Sequence, residues 1–210
     1  MRTIFILILF GCFYSELYAQ GKFGVQAAAL ISKNDYDKDF AAGFDNEYQV
    51  GYSVNLFLER RYTPVFGLSF EPGYLVKGDQ IVVKTADQSA KLQSTVSYVN
   101  LPVQANLHFL NIIAISAGPE FSVKLNEGFE GDFNSDPEEE LKDMYNDVEV
   151  GGMLGFYLSP LPKVKFGLRY TFALSNSIKF ENGSFEQSGA MSDVIGKSKS
   201  IQILLRIVFN

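Results

Sequence analysis

Bulky apolar residues alternate with small or polar ones along eight separate stretches of this chain. The clearest stretch begins at Lys163. Val164, Phe166, Leu168, Tyr170, Phe172 and Leu174 share one parity, and Lys165, Gly167, Arg169, Thr171 and Ala173 share the other. The stretch nearest the C-terminus repeats it, with Ile201, Ile203, Leu205, Ile207 and Phe209 set against Ser200, Gln202, Leu204, Arg206 and Val208. A strand sends successive side chains to opposite faces, so a period of two writes a two-faced strand and excludes an amphipathic helix.

The pattern predicts strands near 22–32, 48–59, 64–77, 93–109, 112–126, 147–158, 163–175 and 198–209. The intervals between them alternate in length. Residues 35–47, 78–92, 127–146 and 176–197 read as long polar or acidic loops, and 60–63, 110–111 and 159–162 as tight turns. Strands this long exceed the usual strand of a soluble sheet, about 5–6 residues. They suit a tilted membrane strand, which needs about 9–11 residues within the bilayer. Long loops on one side and short turns on the other are the pattern of an outer-membrane barrel, with the long loops outside. The expected fold is therefore all-β: an eight-stranded antiparallel up-and-down transmembrane β-barrel. Pro72, Pro102 and Pro119 fall inside the expected strands. They are expected to mark bulges or rims, because proline lacks the ladder donor.

Alternation alone does not say which face meets lipid; a soluble, periplasmic ligand-binding barrel would put the apolar face inside. The bulky face carries Phe66, Phe70, Tyr74, Phe121, Phe156, Phe166, Tyr170, Phe172 and Phe209. An eight-stranded barrel has an interior only wide enough for side chains to fill, too narrow for that many rings. The opposite face is rich in glycine and serine, including Gly24, Gly51, Ser53, Gly67, Ser69, Gly118, Gly155 and Gly167. Small residues suit a crowded lumen, so the bulky face is assigned to lipid. The lumen then holds charges of both signs: Glu71, Glu120 and Glu149 with Lys124, Lys165, Arg169 and Arg206. The expectation is a salt-bridge and amide network that plugs the barrel, because buried charge is tolerated when paired and hydrogen-bonded. A narrow ion path lined by the same charges is the competing reading.

The N-terminus reads as a targeting segment. Arg2 precedes an unbroken apolar run over residues 4–10, and a more polar stretch ends in the small residue Ala19. Residues 1–19 are expected to be a cleavable signal peptide and 20–210 the barrel domain, delivered to the bacterial outer membrane. The apolar run is shorter than the roughly 20 residues of a membrane helix. Leu9-Phe10-Gly11-Cys12 also fits a loose lipobox, which would make Cys12 a lipidated N-terminus; the bulky Phe10 favours discarding Cys12 with the signal. The mature chain then has no cysteine, which excludes disulfides and thiolate sites. A net charge of −6 argues against nucleic acid as a partner. The partners expected are outer-membrane lipid, the barrel-assembly machinery and a protein at the loops.

Chemistry is sparsely written. His108, the single histidine, falls on the lumen parity near a short turn, and no serine or carboxylate beside it in sequence forms a motif. A nucleophile–base–orienter set cannot be assembled, so no catalytic residue, cofactor site or metal site is expected. The third long loop is acidic, with Asp132, Glu138, Glu139 and Glu140 as candidates for an interaction. Its spacing does not match an EF-hand, and Pro137 suggests a short helix start over residues 137–145.

Ser97-Tyr98-Val99-Asn100-Leu101-Pro102-Val103-Gln104-Ala105 resembles the Tyr-x-x-x-Pro fourth strand of the PorT-like small outer-membrane β-barrel family common in Bacteroidetes. Phe70-Glu71-Pro72-Gly73-Tyr74, Ala117-Gly118-Pro119-Glu120-Phe121 and the segment from Gly167 to Tyr170 are similar too. The resemblance covers essentially the whole mature chain and implies an eight-stranded, signal-bearing, non-enzymatic barrel. One branch of that family is associated with type IX secretion. The usual terminal aromatic is followed here by Asn210, a departure that weakens the C-terminal assembly signal. The sequence therefore points to a structural or interaction protein acting through its loops. An accessory of a type IX-like secretion pathway and a lipid-modifying barrel enzyme are the rivals.

Overall fold

A computed structural model describes residues 21–36, 44–84, 89–109, 112–131, 144–179 and 195–209. Ten strands follow in chain order: β1 (Gly21–Tyr36), β2 (Phe44–Arg61), β3 (Phe66–Phe70), β4 (Gly73–Lys84), β5 (Ser89–Phe109), β6 (Ile113–Gly131), β7 (Val148–Leu161), β8 (Val164–Ala173), β9 (Ile178–Lys179) and β10 (Ile195–Val208). β3 and β4 lie end to end as one stave between β2 and β5, and the two-residue β9 pairs only with β10. Eight antiparallel staves remain. β1 pairs with both β2 and β10, so the sheet closes into a ring with no free edge. Closure pairs the backbone groups around the whole circumference, as a wall in lipid requires.

The bulky parity faces out. Val50 is 75% exposed and Ile203 69%, and Phe66, Phe70, Phe121, Phe156, Phe166, Tyr170 and Phe209 stand on the same outer surface. The small residues face in, which excludes the soluble-barrel alternative. Gly167 shows why they are small: a Cβ there would lie 2.7 Å from the Tyr157 ring and 2.9 Å from Leu204, both packed inside.

Three details depart from expectation. The staves run further toward the long-loop end: β4 and β5 stay paired from Gly78↔Thr95 to Lys84↔Ser89, where residues 78–92 were expected to be a loop. A hairpin above the bilayer no longer needs one face apolar, so the period-two signal fades while the ladder continues. The prolines do not shift register. Register with β5 is the same at Phe70↔Val103 and at Gly73↔Asn100, so the Glu71-Pro72 interruption is a missing ladder donor and not a bulge. Pro102 and Pro119 likewise sit in regular register with Glu120 and Gly152. The shifts lie instead at Tyr48/Tyr52, Ser97/Tyr98 and Leu158/Leu161. Finally, the lumen is not polar throughout. Leu30, Leu75, Val96, Tyr98, Phe129, Met144, Tyr145 and Ile178 pack as an apolar cluster toward the long-loop end.

Candidate functional site

The lumen is filled in tiers. At its middle, Glu71 accepts from both Arg169 and Arg206, and all three side chains are almost fully buried. Arg206 also donates to Gln26 Oε1 through Nε (3.1 Å) and Nη2 (2.6 Å). Its guanidinium is clamped between two rings, 4.5 Å from the centre of Phe57 and 4.5 Å from that of Tyr157. Tyr157 in turn accepts from Arg169 at 2.6 Å and donates to Gln104 at 3.2 Å. Asn55 bonds the Glu71 carbonyl (2.9 Å) and Asn100 (3.0 Å). Such a group is tolerable in a low-dielectric interior because the charges are paired and hydrogen-bonded to one another.

Above it, Lys77 donates to Glu149 at 2.5 Å and to Ser198 at 2.9 Å. Glu120 is buried nearby, and its Oε2 has no hydrogen-bond partner among the described residues. Higher still, the Asp79 carboxylate gathers hydroxyl donors: Tyr36 at 2.5 Å, Tyr145 at 2.9 Å and Ser94. Tyr145 lies outside the strands, joined to Ile178 by an isolated bridge. Burial pushes its phenol well above the usual tyrosine range. Met144 and Tyr145 are buried in the apolar cluster at the barrel mouth.

At the short-turn end, Glu59 is the organising carboxylate. Its Oε2 accepts from Lys165 at 2.8 Å, and its Oε1 lies 3.2 Å from His108 Nε2 and 3.4 Å from Arg61 Nε. Arg61 Nη2 is 3.1 Å from His108 Nδ1. A cleft of about 380 Å³ opens here, lined by Lys22, Arg61, Lys165, Ser159 and the Pro160–Pro162 turn.

The lumen candidates read from sequence thus divide. Glu71, Arg169 and Arg206 form one cluster, Glu149 bonds Lys77, Lys165 bonds Glu59, and Glu120 stands among them. Lys124 belongs elsewhere: at the long-loop rim it bonds the Tyr145 carbonyl (2.6 Å), Glu127 (3.2 Å) and Asp147 (3.5 Å). Sequence reasoning left out Glu59 and Lys77, whose inward parity at the ends of two expected strands was the available signal. No serine or carboxylate beside His108 in sequence forms a motif, and the carboxylate that meets it, Glu59, is distant in sequence. Asp132, Glu138, Glu139 and Glu140 lie outside the described residues. So does most of the expected helix over residues 137–145, whose described end, Met144 and Tyr145, is not helical. No group of three or more His, Cys, Asp or Glu gathers as a metal site among the described residues.

Among the described residues four buried glutamates, Glu59, Glu71, Glu120 and Glu149, share the interior with four buried cations, Lys77, Lys165, Arg169 and Arg206. The apolar cluster caps them toward the long loops.

The family described as "Outer membrane protein beta-barrel domain" matches residues 14–179. No curated protein matches the sequence. Among solved structures, Neisserial surface protein A shares 15% identity, with 89% of this chain and 97% of that one covered and a TM-score of 0.48. OprG from Pseudomonas aeruginosa shares 12%, covering 91% and 97%, with a TM-score of 0.46. Ail, the attachment invasion locus protein of Yersinia pestis, shares 10%, covering 90% and 99%, with a TM-score of 0.45.

Proposed function

The chain belongs to the outer membrane protein beta-barrel domain family, and on that premise we propose that it is a closed, non-enzymatic barrel that acts as an interaction protein through its long loops. The carrying observation is the clamp on Arg206. A guanidinium held between two rings and bonded to Glu71 and Gln26 blocks the middle of the lumen, which leaves the two ends as working surfaces. Four loops on a rigid wall suit recognition, since loops tolerate variation that a scaffold does not. On this reading residues 1–19 are removed as a signal peptide, and the barrel-assembly machinery inserts the rest into outer-membrane lipid. The acidic loop bearing Asp132, Glu138, Glu139 and Glu140 contributes to the partner surface. The PorT-like barrels of Bacteroidetes are the proposed branch, supported by the segment from Ser97 to Ala105 and its two proline-centred companions.

Photo-crosslinking residues placed at Phe40 and Glu139 in the long loops, and at Thr63 and Ser159 in the short turns, test the reading in whole cells. A discrete adduct from the long-loop positions is the expected result. Adducts from the short turns alone would overturn it and favour a subunit of a periplasmic or secretion assembly.

A further inference from the structure

We propose that the short-turn mouth of the barrel is a binding site for a phosphate group. Three cations, Lys22, Arg61 and Lys165, converge on one cleft with the Ser159 residue on its wall. Among the described residues one carboxylate, Glu59, lies with these three cations, a formal excess of two positive charges. Unlike the Arg169 and Arg206 guanidiniums, which are sealed at the middle of the lumen with 1% and 2% of their side chains exposed, these cations line an open cleft. Clustered like charges with low-dielectric walls raise the local concentration of counter-ions.

The cleft is also built. Glu59 and His108 hold Arg61 through Nε and Nη2, and Glu59 holds Lys165 through Nζ. Both cations are therefore positioned before a ligand arrives, which reduces the ordering cost of binding. Lys22 enters from the neighbouring strand, where it stands opposite Glu59. A guanidinium fork and two ammonium groups suit a compact oxyanion carrying about two charges. A volume of about 380 Å³ admits a phosphate with a small substituent. The group could arrive on a free phosphate or on a lipid headgroup.

The test is titration calorimetry of the full mature protein in a non-ionic detergent, with inorganic phosphate as probe at constant ionic strength. One saturable site is expected, weakened about tenfold or more in Lys22→Gln and in Arg61→Gln. Lys163→Gln, whose cation is outside the cleft, should leave affinity unchanged. Retained heat-modifiable gel mobility establishes that each variant is folded. Native mass spectrometry of membrane-extracted protein separates the sources: a phospholipid adduct lost in Lys22→Gln assigns the headgroup, and phosphate binding without it assigns the free anion. Absence of both a phospholipid adduct and saturation below about 100 mM phosphate, or binding indifferent to Lys22 and Arg61, overturns the proposal.

Discussion

Arg206 and Glu71 meet at the centre of the barrel although they stand 135 residues apart in the chain, with side chains only 2% and 0% exposed. Glu71 also serves Arg169, so two guanidiniums share one carboxylate.

Glu71→Ala should therefore be severe. It leaves two buried guanidiniums without their carboxylate, a change expected to cost about 3–5 kcal/mol. Urea unfolding in lipid vesicles reads the loss. A triple variant replacing Glu71, Arg169 and Arg206 with Leu, Met and Met should recover much of it, since an apolar replacement leaves no charge unpaired.

On the proposed reading the lumen is blocked twice, by the Arg206 clamp and by the apolar cluster around Tyr145. The wild-type protein should show no stepwise conductance in planar bilayers. Neither Arg206→Gln nor Tyr145→Ala alone should open a path, because each leaves the other block in place. Steps from either single variant would show that one tier carries the whole seal.

Gly167→Ala and Gly152→Ala form a matched pair. Each added Cβ meets a ring, Tyr157 at 2.7 Å in the first and Phe172 at 2.6 Å in the second. Tyr157 is pinned inside by Arg169 and Gln104, whereas Phe172 stands on the outer face. Gly167→Ala should cost about 1–3 kcal/mol by overpacking, and Gly152→Ala clearly less. Urea midpoints in the same vesicles compare them.

Ile203→Lys puts a charge on the outer belt at mid-strand, where Ile203 pairs with Ala29 and Leu168. A loss of about 2–4 kcal/mol is expected at the bilayer midplane, against about 0–1 for Val148→Lys near the long-loop rim. The folded fraction on unheated gels would report both.

Asp79→Ala removes the acceptor shared by Tyr36, Tyr145 and Ser94. The barrel should persist, but Tyr145 loses its anchor at about 1–3 kcal/mol, the scale of an unmet buried hydrogen bond. Trypsin should then cut at Lys142 faster than in the wild type, while heat-modifiable mobility stays unchanged.

The wall was legible and the plug only in part. Period two and the large-small asymmetry of the faces are local, so a single sequence carries them: Val164 to Leu174 against Lys165 to Ala173 already implies an outer and an inner surface. What joins across the lumen is set by register between distant staves. Glu59 with His108 and Lys77 with Glu149 stand 49 and 72 residues apart, and no local spacing announces either pair. The inward rings Phe57, Tyr98 and Tyr157 sit on the parity assigned to small residues, and glycines such as Gly167 make the room. The upper hairpins escaped because strands paired in water need no apolar face.

The ring is sealed between β1 and β10, from Gly24↔Val208 to Tyr36↔Gly196, with Phe23 and Phe209 in edge contact at 5.6 Å. The first strand to emerge during synthesis therefore waits for nearly the whole polypeptide before it meets its second neighbour. Every shorter nascent chain presents two raw strand edges, the template for mispairing. A premature stop anywhere before β10 therefore leaves an open sheet with two unpaired edges instead of a smaller barrel.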